Sequence, residues 1–105
     1  MKRKYKVITL CGSIKFKDDF IAVQEKLTLE GNIVLCPEFF GNVGDYSFLT
    51  EEVISMLGDM HKRKIDMADE IFVINKNGYI GSTTKSEIEY ATKTGKKVNY
   101  LEPIK

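Results

Sequence analysis

The stretch Tyr5-Lys6-Val7-Ile8-Thr9-Leu10-Cys11-Gly12-Ser13 decides the fold. Its apolar, β-branched run is short and closes on a glycine and a serine, the pattern of a buried strand ending in a tight turn. Downstream, Phe20, Ile21, Val23, Leu27 and Leu29 recur at helical spacing within residues 16–30, and Gly31 follows as a C-terminal cap. Residues 32–36 (NIVLC) read as a second strand stopped by Pro37, residues 70–75 (EIFVIN) as a third and residues 97–101 (KVNYL) as a fourth. A helical pattern opens at Thr50, with Glu51 and Glu52 at the positive end of its dipole, and runs to Met67, with Gly58-Asp59 as a candidate break. Another covers residues 84–94 and is capped by Gly95. Strands alternating with helices imply right-handed parallel crossovers. The expected fold is α/β: an open, mostly parallel sheet of four to five strands with helices on both faces, flavodoxin-like or Rossmann-like, in one domain over residues 1–105.

Composition narrows the function. Sixteen Lys and Arg stand against 15 Asp and Glu, so the chain has no basic field for sequence-independent binding, and no polymeric nucleic-acid partner is expected. The basic N-terminus is followed by no long apolar run, and no stretch is long enough to span a bilayer. A reduced, cytoplasmic protein with no membrane partner is the expectation. Cys11 and Cys36 are far apart and form no Cys-x-x-Cys pair, which disfavours a redox role. With one histidine and no ligand cluster around it in the sequence, neither a metal nor a cofactor is expected.

In an open parallel sheet the ligand crevice lies beyond the carboxyl ends of the strands, where the strand order reverses. The candidate loops are therefore residues 12–15 and 76–84, both containing glycine, hydroxyls and a lysine and both leading into helix N-termini suited to an anion. Any βα turn also needs such residues for its backbone and cap. Glu87 has two readings of the same kind. With Thr84 three residues earlier it matches a capping box; facing the crevice from a first helical turn, it is kept ionised by the dipole and available as a nucleophile. Tyr90 shares its face, either beside the ligand or in the core.

Leu10-Cys11-Gly12-Ser13, Ile65-x-x-Ala68-Asp69 and Ser86-Glu87-Ile88-Glu89-Tyr90-Ala91, followed by Gly95-Lys96-Lys97-Val98, together resemble the nucleoside 2-deoxyribosyltransferase family over nearly the whole chain. Residues 11–15 are similar to the phosphate-side loop of its branch that hydrolyses 2-deoxynucleoside 5-monophosphates. The resemblance implies that Glu87 attacks the anomeric carbon and that Gly12, Ser13, Ile14 and Lys15 hold the 5-hydroxyl or 5-phosphate end of the substrate. It also implies an oligomer, with a homodimer favoured because a pocket in so small a chain would be open on one side.

Three positions depart from the family pattern. His61 stands where an aspartate helps protonate or position the base, and a histidine can donate a proton near neutral pH; the alternative is a polar helix residue among Met60, Lys62, Arg63 and Lys64. Gly81 stands where an aspartate or serine contacts the sugar or phosphate, leaving Ser82, Thr83 or Thr84 to substitute. Thr9 stands where a tyrosine orients the glutamate.

Breaking a C–N glycosidic bond builds positive charge on the sugar and negative charge on the base, so a site needs an anion below the ring and a proton donor near the base. Glu87 and His61 are the candidates, with Glu87 forming a glycosyl ester that water or a second base resolves. Glu38 is a polar contact, and Phe39, Phe40 and Tyr46 either stack on the base or plug the core edge or an interface. Two rivals stand beside this reading: a non-catalytic nucleotide sensor, and a glycohydrolase acting on a dinucleotide such as NAD.

Overall fold

A computed structural model of the chain describes residues 4–40 and 46–104. Residues 41–45 of the expected pocket loop lie outside the described residues. The strands are β1 (Val7–Gly12), β2 (Ile33–Leu35), β3 (Glu70–Ile74) and β4 (Lys97–Tyr100), and the helices are α1 (Lys17–Leu29), α2 (Glu51–Asp66) and α3 (Ser82–Lys93). Short 3-10 turns at Ile14–Phe16 and Lys76–Gly78 follow β1 and β3. All pairings are parallel, in the order β2-β1-β3-β4, with Cys11 opposite Val73 and Thr9 opposite both Leu35 and Ile71. The expected α/β class is therefore realised as an open sheet of four parallel strands, compatible with a flavodoxin-like or Rossmann-like fold.

The alternation of β1 explains both layers. Ile8 and Leu10 point to one face, where Phe20 and Val23 of α1 bury against them together with Ile74. Cys11 points to the other, with Ile65 of α2, Ile71 and Val73 of β3, and Ala91 of α3. Each large apolar side chain so buried contributes about 1.5–3 kcal/mol relative to exposure. The path moves outward from β1 to β2, returns past β1 to β3 and continues to β4, so right-handed crossovers put α1 on one face and α2 and α3 on the other. The order reverses between β1 and β3. That seam, at its carboxyl end, is where a ligand crevice is expected.

Two expectations about helices are corrected. Gly58-Asp59 does not break α2, which runs continuously with Thr50 Oγ1 accepting from the Val53 N–H at 3.2 Å as its cap; one interior glycine costs only about 1 kcal/mol. Helix α3 begins earlier than expected, capped by the backbone of Gly81, so Thr84 is inside the helix and the Thr84–Glu87 capping box does not form. Glu87 is thus freed from the bland role the spacing suggested.

The motif residues that flank β3 are structural. Ile65 and Ala68 are buried, and Asp69 Oδ2 accepts the Val7 N–H at 2.8 Å, holding the start of β1 against the turn before β3. At the end of α3, Gly95 takes φ 78°, and the N–H of Lys96 reaches the Ala91 carbonyl at 2.9 Å, closing the helix as a left-handed cap.

Candidate active site

Cys11, His61 and Glu87 come from β1, α2 and α3 and meet on the α2–α3 face of the sheet. Their donor atoms all lie within 4.8 Å of one another. Cys11 Sγ is 3.4 Å from His61 Nε2, and that nitrogen is 3.8 Å from Glu87 Oε1. All three residues are buried. On the outer side of Glu87 a cleft of about 380 Å³ opens between α2 and α3, walled by Ser55, Gly58, Asp59 and Lys62 on one side and Thr83, Ser86 and Glu87 on the other. Gly58 supplies no side chain to that wall, and a Cβ there would meet nothing within 4 Å.

The ionisation states follow from burial. Desolvation raises the Glu87 pKa from 4.5 to about 7, against a hydrogen bond from the Cys11 thiol and the charge of Lys62, both of which lower it. Glu87 is the sixth residue of α3, beyond the turn where the helix dipole acts, so burial prevails and the expectation that the dipole keeps it ionised is overturned. Burial, then the charge of Lys64, push the His61 pKa down from 6.5 to about 4, with Glu38 opposing. Burial thus disfavours both the imidazolium and the carboxylate, so the 3.8 Å contact is a contact of neutral groups near neutral pH. Burial, with Glu87 beside it, raises the Cys11 thiol well above its ordinary value. The thiol is therefore a neutral donor to Glu87.

Burial thus works against the general-acid role expected for His61 near neutral pH. Its ring lies behind the carboxyl group, 4 % exposed, and does not wall the cleft. The cation on the cleft wall is Lys62, which no sequence pattern singled out among its basic neighbours. Cys11 was equally hidden: the strand pattern made it core, and only the chain path brings it against Glu87.

Of the other expected residues, Thr83 walls the cleft, Thr84 is buried in α3 and Ser82 is exposed at its first position. Thr9 is fully buried and its hydroxyl donates to the Lys64 carbonyl at 2.9 Å, so it steadies α2 and not the glutamate. Gly12, Ser13, Ile14 and Lys15 follow Cys11 at the carboxyl end of β1. A Cβ on Gly12 would sit 2.9 Å from the Ile74 carbonyl oxygen, at φ 151°, so the close approach of β1 to β3 requires glycine there. Ser13 Oγ accepts the Lys15 N–H at 3.3 Å, and the Lys15 ammonium lies 3.6 Å from the centre of the Tyr79 ring. The loops after β1 and β3 thus touch, as expected, but residues 12–15 do not wall the cleft beside Glu87. A Cβ on Gly81 would lie 3.2 Å from the Tyr79 hydroxyl oxygen, so the Tyr79 side chain takes the space that an acidic residue would use.

Phe39 packs edge-on to Phe20 at 5.4 Å in the α1-side core, which resolves its two readings in favour of the core edge. Glu38 Oε1 accepts from the Lys64 ammonium at 2.9 Å, and the same ammonium donates to the Cys36 carbonyl at 2.6 Å. Phe40 and Tyr46 lie against Phe48. Tyr90 bridges the helices, its hydroxyl donating to Asp66 Oδ1 and accepting from Arg63. A larger hollow of about 530 Å³ lies at the ends of β3 and β4, but Asn75 and Asn77 on its wall are bonded to Glu102. Its polar groups are spent on one another, so the cleft at Glu87 is the stronger candidate.

No protein-family model matches the chain, and the searches of curated proteins and of solved structures return no match. No helix is long and apolar enough to cross a membrane, among the described residues.

Proposed function

We propose that the chain cleaves or exchanges the N-glycosidic bond of a nucleoside, deoxynucleoside or nucleoside 5-monophosphate, as the nucleoside 2-deoxyribosyltransferase family it resembles does. The observation that carries the reading is Glu87 itself: a nearly buried carboxyl group at the inner wall of a ligand-sized cleft, with a pKa of about 7. Structural carboxylates are seldom left in that state, whereas a nucleophile gains basicity from it. In the first step the Glu87 carboxylate attacks the anomeric carbon, the C–N bond breaks and the base leaves with the bonding pair. In the second, water or another base attacks the same carbon, the ester bond breaks and the carboxylate returns; the proton shed by the attacking water or base goes to solvent, from which the departed base takes up one.

Cys11 and His61 act on Glu87 from behind. The thiol donates to the carboxylate and the neutral imidazole excludes water, which positions the attacking oxygen toward the cleft. Lys62 stands where it can oppose the charge on a phosphate or on the departing base, and Thr83 and Ser86 offer hydroxyls to the sugar. A second copy closing the open side of the cleft fits the exposed Met56 and Met60, one turn apart on α2. Sedimentation velocity tests that part.

The deciding experiment is chromatographic detection of free base from a panel of nucleosides and 5-monophosphates, with and without an acceptor base. Release by the wild type and its loss in Glu87→Gln, in a protein that remains folded, is the expected result. Ligand binding without release from any member would instead favour a sensor, and release from NAD alone a dinucleotide glycohydrolase.

A further inference from the structure

Cys11, His61 and Glu87 present a thiol sulfur, an imidazole nitrogen and a carboxylate oxygen to one point, from three different elements. A tetrahedral ion holding sulfur at about 2.3 Å and nitrogen or oxygen at about 2.0–2.2 Å separates its ligand atoms by roughly 3.3–3.7 Å. The observed separations of 3.4 Å and 3.8 Å are already close to that, and the remaining pair lies within 4.8 Å. His61 Nδ1 is buried with no hydrogen-bond partner among the described residues, so no hydrogen bond at the far side of the ring opposes the small pivot that brings Nε2 onto an ion. Of the three, Glu87 alone walls the cleft, so an ion would reach the cluster past its carboxyl group. A mixed sulfur, nitrogen and oxygen set suits zinc over magnesium or calcium.

We infer that Cys11, His61 and Glu87 form a binding site for a zinc-class divalent ion, and that occupation of this site switches off glycosidic cleavage by engaging the Glu87 carboxylate. Binding breaks the Cys11 S–H bond and forms a metal–sulfur bond, with the proton passing to solvent; a proton on Glu87 leaves in the same way, and no electron is transferred. The first half of the inference is independent of the proposed function. The second half rests on Glu87 being the nucleophile.

The test begins with chelator-treated protein titrated with cobalt(II), whose thiolate complexes show a charge-transfer absorption that oxygen and nitrogen complexes lack. One equivalent per chain should produce that band in the wild type and in Cys36→Ser. Cys11→Ser should abolish it, and His61→Gln and Glu87→Gln should each weaken binding by more than the roughly 10- to 100-fold that loss of an outer partner costs. Zinc should displace the cobalt, and should suppress base release until chelator restores it. Absence of the band in the wild type, or its persistence in Cys11→Ser, overturns the site; should Cys11→Ser fail to fold, unchanged affinity in both His61→Gln and Glu87→Gln overturns it equally. Zinc binding that leaves base release untouched overturns the switch. A cobalt band from a protein that releases no base with or without metal retires the glycosidic reading and the switch with it, and leaves the metal site standing.

Discussion

Glu87 is the residue at which stability and chemistry oppose each other. Folded, it keeps its proton up to about pH 7, whereas the unfolded chain loses it near 4.5, so the folded state is penalised increasingly between those values and by a constant amount above them. The penalty is on the order of 3 kcal/mol. Glu87→Gln should therefore raise stability by about 1–3 kcal/mol at pH 8 and by much less at pH 4.5, as read by urea unfolding at both pH values. Activity has the opposite dependence: in metal-free protein, base release should rise about tenfold per pH unit below pH 7 and level off above it, because only the carboxylate attacks. A profile flat from pH 5 to 8 would dissociate Glu87 from the chemical step. His61 adds an acid limb. Its folded pKa is depressed, so stability is intact above about 6.5 and falls as the pH drops toward 4, and His61→Gln should remove that part of the acid sensitivity.

Among the elements, β1 carries the most constraints. It pairs with β2 and β3, feeds both apolar layers, and ends at Gly12, where a methyl group would press on the Ile74 carbonyl. Gly12→Ala should cost about 1–3 kcal/mol, measured by chemical denaturation, because strain at a positive φ and a backbone contact act together. The α2–α3 pair is joined more lightly, through the Tyr90 hydroxyl between Asp66 and Arg63. Tyr90→Phe should lower stability only slightly, as read by chemical denaturation, because both hydrogen bonds are exposed to water, and should leave the core unchanged. These elements were legible in the sequence to within a few residues, because apolar period and glycine stops are local signals. The start of α3 was not: Thr84 followed three residues later by Glu87 has the spacing of a capping box, yet the helix starts at Ser82, two residues before Thr84, and a helix start is settled by the turn that delivers the chain to it.

For the whole molecule, the open parallel sheet with helices on both faces followed from the alternation of strands and helices and from crossover handedness, and Glu87 could be singled out by its place near the start of α3. His61 was singled out too, as a proton donor near the base and not as a neighbour behind Glu87; Cys11 was not. Cys11 and His61 stand 50 positions apart, and their 3.4 Å approach is a tertiary contact that no local pattern encodes. Nor did the sequence warn that Thr9 would be absorbed into packing, and for Phe39 it left pocket and core edge open, since a hydroxyl or an aromatic ring looks alike in a core and in a pocket. Ile65 shows what holds the assembly together. It is fully buried between α2 and the sheet, and Ile65→Ala should cost about 2–5 kcal/mol, against less than about 0.5 kcal/mol for Ile14→Ala at a side chain 62 % exposed.

The three-element origin of the Cys11, His61 and Glu87 cluster makes competence a property of the finished chain. A fragment ending before α3 would contain the central strand pair β1 and β3, both short 3-10 turns and most of the apolar layers, and would lack Glu87. On the proposed reading of Glu87, a nascent or cleaved copy would be unable to attack a substrate prematurely, and recovered base release after dilution from denaturant would time the docking of α3.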